Sequence, residues 1–100
     1  MITPDVTRPH PHGTGTQRIY RFDNGYGASV VLYSFAPGVG SYGAEQGLWE
    51  LAVVRFTGDG LDQFKVTYET PVTNDVIGWL DEDEVQEKLQ QIRDLPSVTA

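Results

Sequence analysis

A chain of 100 residues with a formal charge of −7 and no cysteine is sized for one hydrophobic core rather than two. The missing thiols exclude disulfide staples, Cys-ligated zinc and iron–sulfur clusters. The acidic balance argues against phosphate backbones and anionic membranes as partners, because both attract basic surfaces. No run approaches the roughly 20 apolar residues of a membrane-crossing helix. The opening MITPDVTRPHPHG lacks the apolar centre of a signal peptide, so the expected compartment is the cytoplasm.

Residues 1–17 hold Pro4, Pro9 and Pro11 with few large apolar side chains. Such a stretch cannot offset the entropy of ordering, and it reads as a flexible N-terminal arm. The folded domain is expected over 18–96, with a short tail at 97–100. It opens on Arg18-Ile19-Tyr20-Arg21-Phe22, then Asp23-Asn24-Gly25, then Ala28 to Phe35. Asn-Gly between two β-like runs predicts a hairpin with a type I′ turn, in which both central residues take positive φ.

A glycine-rich connection, Ala36 to Gly47, leads to a third strand at Leu48–Phe56. Thr57-Gly58-Asp59-Gly60 has turn chemistry. The fourth run, Phe64 to Glu69, alternates, with Phe64, Val66 and Tyr68 on one face and Lys65, Thr67 and Glu69 on a wet face. Pro71 ends it. Residues 72–80 read as a buried linker, in which Thr73 or Asn74 could cap a short helical turn carrying Val76, Ile77 and Trp79.

The helix at the C-terminus has the clearest signature. Asp81 as N-cap and Glu84 three positions on form a variant capping box, and Leu80 is placed to staple onto Val85. Val85, Leu89 and Ile92 make one apolar stripe, and Pro96 marks the stop. The predicted fold is therefore α+β: an antiparallel β-meander of about four strands packed against one C-terminal amphipathic helix.

Motifs that could carry chemistry fall to simpler readings. Gly38-Val39-Gly40-Ser41-Tyr42-Gly43 fits the G-x-G-x-x-G pattern of a phosphate cradle, but the helix and parallel strand that such a cradle requires are missing, so a flexible or tight connection is expected. His10-Pro11-His12 lies in the predicted arm without the three or four fixed ligands of a metal site. The run Asp81 to Glu84 cannot be an EF-hand, whose sixth position needs glycine where Gln86 stands. No histidine can be placed beside Ser29, Ser34 or Ser41 as a base. The chain reads as non-enzymatic, with no cofactor and no metal.

Of the aromatic residues, Trp49 and Trp79 are expected in the core. Tyr26 and Tyr42, flanked by glycines, are expected to be exposed and able to bind. Tyr26 and Tyr42, with the helix acids Asp81, Glu82, Asp83 and Glu87, are the candidate protein-binding residues.

The segments 18–31, 41–53 (SYGAEQGLWELAV) and 70–80 (TPVTNDVIGWL) resemble a family of small, mostly uncharacterised proteins encoded by phages of actinobacteria. The resemblance runs over residues 18–95 and brings no catalytic or binding residues with it. It implies a phage gene product acting in a bacterial host cytoplasm. The leading expectation is a non-enzymatic accessory protein that binds a host or phage protein. One alternative is a virion or assembly component whose arm orders on a neighbouring subunit. Another is an acidic decoy for a nucleic-acid-binding site. Direct nucleic-acid or membrane binding is not expected, and the sheet edges leave a homodimer open.

Overall fold

The computed structural model of the chain describes residues 1–11, 14–36 and 39–98. The strands are β1 (Val6–Pro9), β2 (Thr14–Arg21), β3 (Tyr26–Ala36), β4 (Val39–Gly40), β5 (Trp49–Phe56), β6 (Phe64–Val66) and β7 (Ile77–Leu80), and the helix is α1 (Glu82–Arg93). All pair in one antiparallel sheet of order β1-β2-β3-β5-β6, with β4 added to β3 and β7 to β5. The α+β class and the closing helix match the expectation from sequence. The strand number does not: seven strands stand among the described residues where about four were predicted.

Three short strands account for the difference. β1 lies inside the predicted arm and pairs with β2 from Val6↔Ile19 to Pro9↔Thr16. Residues 6–9 and 14–17 thus belong to the sheet and do not form an arm outside it. An edge strand needs only one row of backbone bonds, and a proline at its end is tolerated there. That is why a proline-rich, weakly apolar segment can still be a strand. β4 adds to β3 beyond the point where β5 begins. β7 replaces the expected helical turn: β6 covers β5 only at Val54–Phe56, and β7 pairs with the edge left open near Trp49 and Leu51.

The hairpin between β2 and β3 forms, but by another turn. Gly25 donates to the Phe22 carbonyl at 3.2 Å and has φ 89, while Asn24 stays out of the positive-φ region. This is a turn followed by a left-handed glycine, the G1-bulge solution and not type I′. The reason lies in the Asn24 side chain. Its Nδ2 donates to the carbonyls of Ile92, Arg93 and Leu95 at 2.8, 3.2 and 3.1 Å, and its Oδ1 accepts from the Tyr26 amide. Helix C-termini leave carbonyls unpaired, and this asparagine from a distant hairpin satisfies them. Val98 of the tail donates in turn to the Asn24 carbonyl, so residues 97 and 98 dock on the turn.

α1 begins as predicted. Asp81 accepts from the Glu84 amide at 2.8 Å, and the Glu84 carboxylate accepts from the Asp81 amide, completing the capping box. Val85, Leu89 and Ile92 are fully buried against Tyr20, Ala28, Val30, Leu51, Val53 and Leu80. Burial of each large aliphatic side chain contributes on the order of 2 kcal/mol. Gln86 reaches back to both backbone groups of Ile2, tying the first residues to the helix.

Among the described residues no helix covers the opposite face of the sheet, yet Gln17, Ile19, Ser29, Val31 and Val54 on it are buried. The sheet covers this face by curling. Arg8 of edge strand β1 bonds Asp62, in the loop before β6 at the other end of the strand order. Arg8 also donates to Gln17, and Gln17 to Ser29. The guanidinium of Arg21 lies over the Phe56 ring at 4.5 Å, and Phe56 meets Phe64 edge-on. The wet and dry faces expected for the fourth strand are redistributed, since β6 is short and leaves Val66 and Tyr68 exposed.

Candidate functional site

At the end of the sheet where β5 starts, two segments meet: the loop after β4 and strand β7. Ser41 begins the loop. It is buried, its amide donates to the Tyr33 carbonyl, and its hydroxyl accepts from the Tyr33 amide at 3.0 Å. Gly43 and Gly47 both take positive φ and bracket a 3-10 turn over Ala44–Gln46. Gly43 of the G-x-G-x-x-G stretch therefore opens a tight turn, while Gly38 lies outside the described residues. At Gly40 a Cβ would stand 2.2 Å from the Tyr33 carbonyl oxygen, so there close approach to β3 requires glycine.

Strand β7 reaches this loop through a bulge. Ile77 pairs with Leu51 and Leu80 with Trp49, so Gly78 and Trp79 stand opposite Glu50 alone. Trp79 has φ 62, the one non-glycine residue with positive φ among the described residues. For an L-residue that conformation costs about 1–2 kcal/mol. The bulge turns the indole outward: Trp79 is 57% exposed and Tyr42 58%, with Val39 exposed beside them. The Trp79 amide donates to the Tyr42 carbonyl at 3.3 Å. Tyr42 lies across Gly78, where a Cβ would approach within 2.3 Å of the tyrosine Cβ. The Glu50 carboxylate accepts from the Tyr42 amide at 2.7 Å and fixes the loop from below. Between the segments lies an open cleft of about 200 Å³ lined by Val39, Ser41, Tyr42, Glu45 and Trp79.

The structure separates the residues that sequence reasoning grouped. Tyr42 is exposed as expected. Tyr26 is not: it begins β3 and is partly buried against the core, seven residues along that strand from Tyr33, where the aromatic loop is bonded, or about 23 Å at 3.3 Å per residue. Asp81 is occupied in the helix cap. Glu82 forms a two-oxygen pair with Arg18, both bonds 3.0 Å, which raises the arginine pKa above its ordinary value. Asp83 and Glu87 are exposed on the helix. The His10 ring stacks on Tyr33 at 3.7 Å, and His12 lies outside the described residues.

Trp79 is the residue that sequence reasoning missed. Its place in an apolar run predicts burial, which holds for Trp49 but not here. The available signal was Gly78 before it, a residue that often marks a bulge inside a strand.

No helix among the described residues is long and apolar enough to cross a membrane. Fold and site together define a small sheet-and-helix domain with an exposed, backbone-strained aromatic face. No family model, curated protein or solved structure matches the chain.

Proposed function

We propose that this protein is a non-enzymatic protein-interaction module whose contact surface is the Tyr42–Trp79 face, with the acidic first turn of α1 beside it. The observation that carries this reading is Trp79, 57% exposed and held at φ 62. A tryptophan that is strained and more than half exposed adds little net stability to the fold, because the backbone cost offsets the packing of its covered part. Trp and Tyr are the side chains most enriched where binding energy concentrates, and backbone strain gathers at functional sites. The phage resemblance supplies the setting: an accessory protein engaging a host protein in a bacterial cytoplasm.

The virion alternative drew its motive from an arm free to order on a neighbour. With Val6–Pro9 paired to β2, that motive is gone. The decoy alternative is weakened as well, because Asp81 and Glu82 are engaged inside the molecule.

The test is affinity capture from an actinobacterial lysate with wild-type protein, a Tyr42→Ala/Trp79→Ala variant and a control protein of equal charge. A single protein retained by wild type alone, and then binding it directly on titration, is the expected result. Identical capture profiles for wild type and variant would refute the reading.

A further inference from the structure

We infer that two copies of this chain join through β6, whose outer edge and the following residues 67–69 pair antiparallel with the same segment of a second copy across a two-fold axis. This surface shares no residue with the Tyr42–Trp79 face and does not depend on the reading of it. β6 ends the strand order of the sheet. Its bonds to β5 run through odd positions: the Gln63 carbonyl accepts from the Thr57 amide, and the Thr67 amide donates to the Val53 carbonyl. Antiparallel ladders alternate, so the amides and carbonyls of Val66 and Tyr68 point away from β5. Residues 67–69 run on without turn or bend. The other edges are blunted, β1 by Pro9, β7 by its bulge and β4 by a length of two residues. The β6 edge instead carries exposed Val66 and Tyr68 beside an open groove of about 310 Å³.

The occupant is a second copy because the segment complements itself. With outward groups at the even positions, one two-fold register sets Val66 opposite Tyr68, Lys65 opposite Glu69 and Thr67 opposite itself. Each apolar pair and each ion pair then forms twice, and apolar, threonine and opposite-charge pairs are the favourable cross-strand combinations. Lys65 and Glu69 are both exposed, and neither has an ion pair among the described residues. Within its own chain Lys65 stands directly across from Arg55, a like-charge pair that disfavours the sheet. Glu69 of the second copy would place an acid on the other side of Lys65. Neighbouring registers lose this match. Slips that set Lys65 or Glu69 opposite itself bring like charges together, and the slips between them give neither an opposite charge. Residues 64–69 hold one lysine and one glutamate in a chain of formal charge −7, so the edge meets its copy where mutual repulsion is smallest.

The experiment is sedimentation velocity of the full chain from micromolar to millimolar concentration, which should show a monomer–dimer equilibrium. Lys65→Glu and Glu69→Lys each turn two attractive pairs into repulsive ones and should weaken self-association about tenfold. The double variant K65E/E69K restores both pairs and should recover wild-type association. An equimolar mixture of the two single variants should form a heterodimer in preference to either homodimer. Circular dichroism checks that each variant stays folded. The chain has no cysteine, so single thiols report the register. Thr67→Cys puts its two Cα atoms about 4.5 Å apart at a non-hydrogen-bonded position, within disulfide reach, and mild oxidation should link the copies. Lys65→Cys, offset by four residues from its own copy or about 13 Å, should not link. A chain that stays monomeric throughout would overturn the inference. So would a dimer indifferent to both charge reversals, or a double variant that associates no better than the singles. Linking through Lys65→Cys in preference to Thr67→Cys would overturn it as well.

Discussion

The two ends of this domain treat their polar groups and their backbone in opposite ways. Where α1 ends, one asparagine supplies hydrogen bonds to three carbonyls and to the next strand, and the tail closes over the turn. Where α1 begins, the capping box is complete, but two residues earlier Trp79 stands in a left-handed conformation with its ring in water. The first end is organised for stability and the second keeps strain and exposed aromatic area together. Nothing in folding requires the second arrangement, since Gly or Asn would occupy φ 62 at lower cost. The contrast places closed hydrogen bonding and strained, exposed aromatic area in different parts of one small sheet.

The contrast can be broken by substitution. Asn24→Ala should give the largest effect, a loss of about 2 kcal/mol, because it removes several partly buried hydrogen bonds and leaves helix carbonyls unpaired. Urea denaturation measures it, and faster amide exchange at the end of α1 should accompany it. Asp81→Ala removes the helix N-cap and should cost about 1 kcal/mol. Thermal unfolding should register that as a lower midpoint with native far-UV circular dichroism.

The curled face offers a smaller, pH-dependent effect. The Arg8 guanidinium bonded to Asp62 holds that carboxyl below its ordinary range. A group whose pKa is depressed on folding stabilises the native state above its unfolded value, near 3.9 for Asp. Its contribution is present at neutral pH and fades as the solution is acidified below that value. Asp62→Asn should remove this component from the acid limb of the stability curve and leave the neutral region nearly unchanged, because exposed pairs contribute little.

Least affected should be the stability of Trp79→Gly. Relief of the left-handed backbone, about 1–2 kcal/mol, offsets the packing lost from a half-exposed ring. The midpoint of urea denaturation should stay within about 0.5 kcal/mol of wild type by this balance, while partner capture disappears. A large destabilisation would mean that Trp79 belongs to the core and that the two ends are not different in kind.

Local chemistry made some of this legible in the sequence. Asp81 and Glu84 at capping spacing, and Val85, Leu89 and Ile92 on one helical face, determined α1 before any neighbour was considered, because caps and amphipathic stripes act within a few residues. The β-branched runs around Asp23-Asn24-Gly25 determined a hairpin. They could not determine its turn type, because the Asn24 side chain is committed to carbonyls some seventy residues away. The candidate site was half legible: Tyr42 between glycines signalled exposure, while Trp79 in an apolar run signalled the reverse.

What the sequence by itself determined about this protein is its class, its acidic helix and the hairpin that precedes the long central strand. Only the tertiary structure decided that residues 6–9 join the sheet, that β7 fills the gap left by a short β6, and that the resulting bulge turns Trp79 outward beside Tyr42. The reason is physical. Edge pairing, bulges and side-chain direction depend on which backbone groups a distant strand leaves unpaired, and that information is held by the assembled sheet and not by any local run of residues.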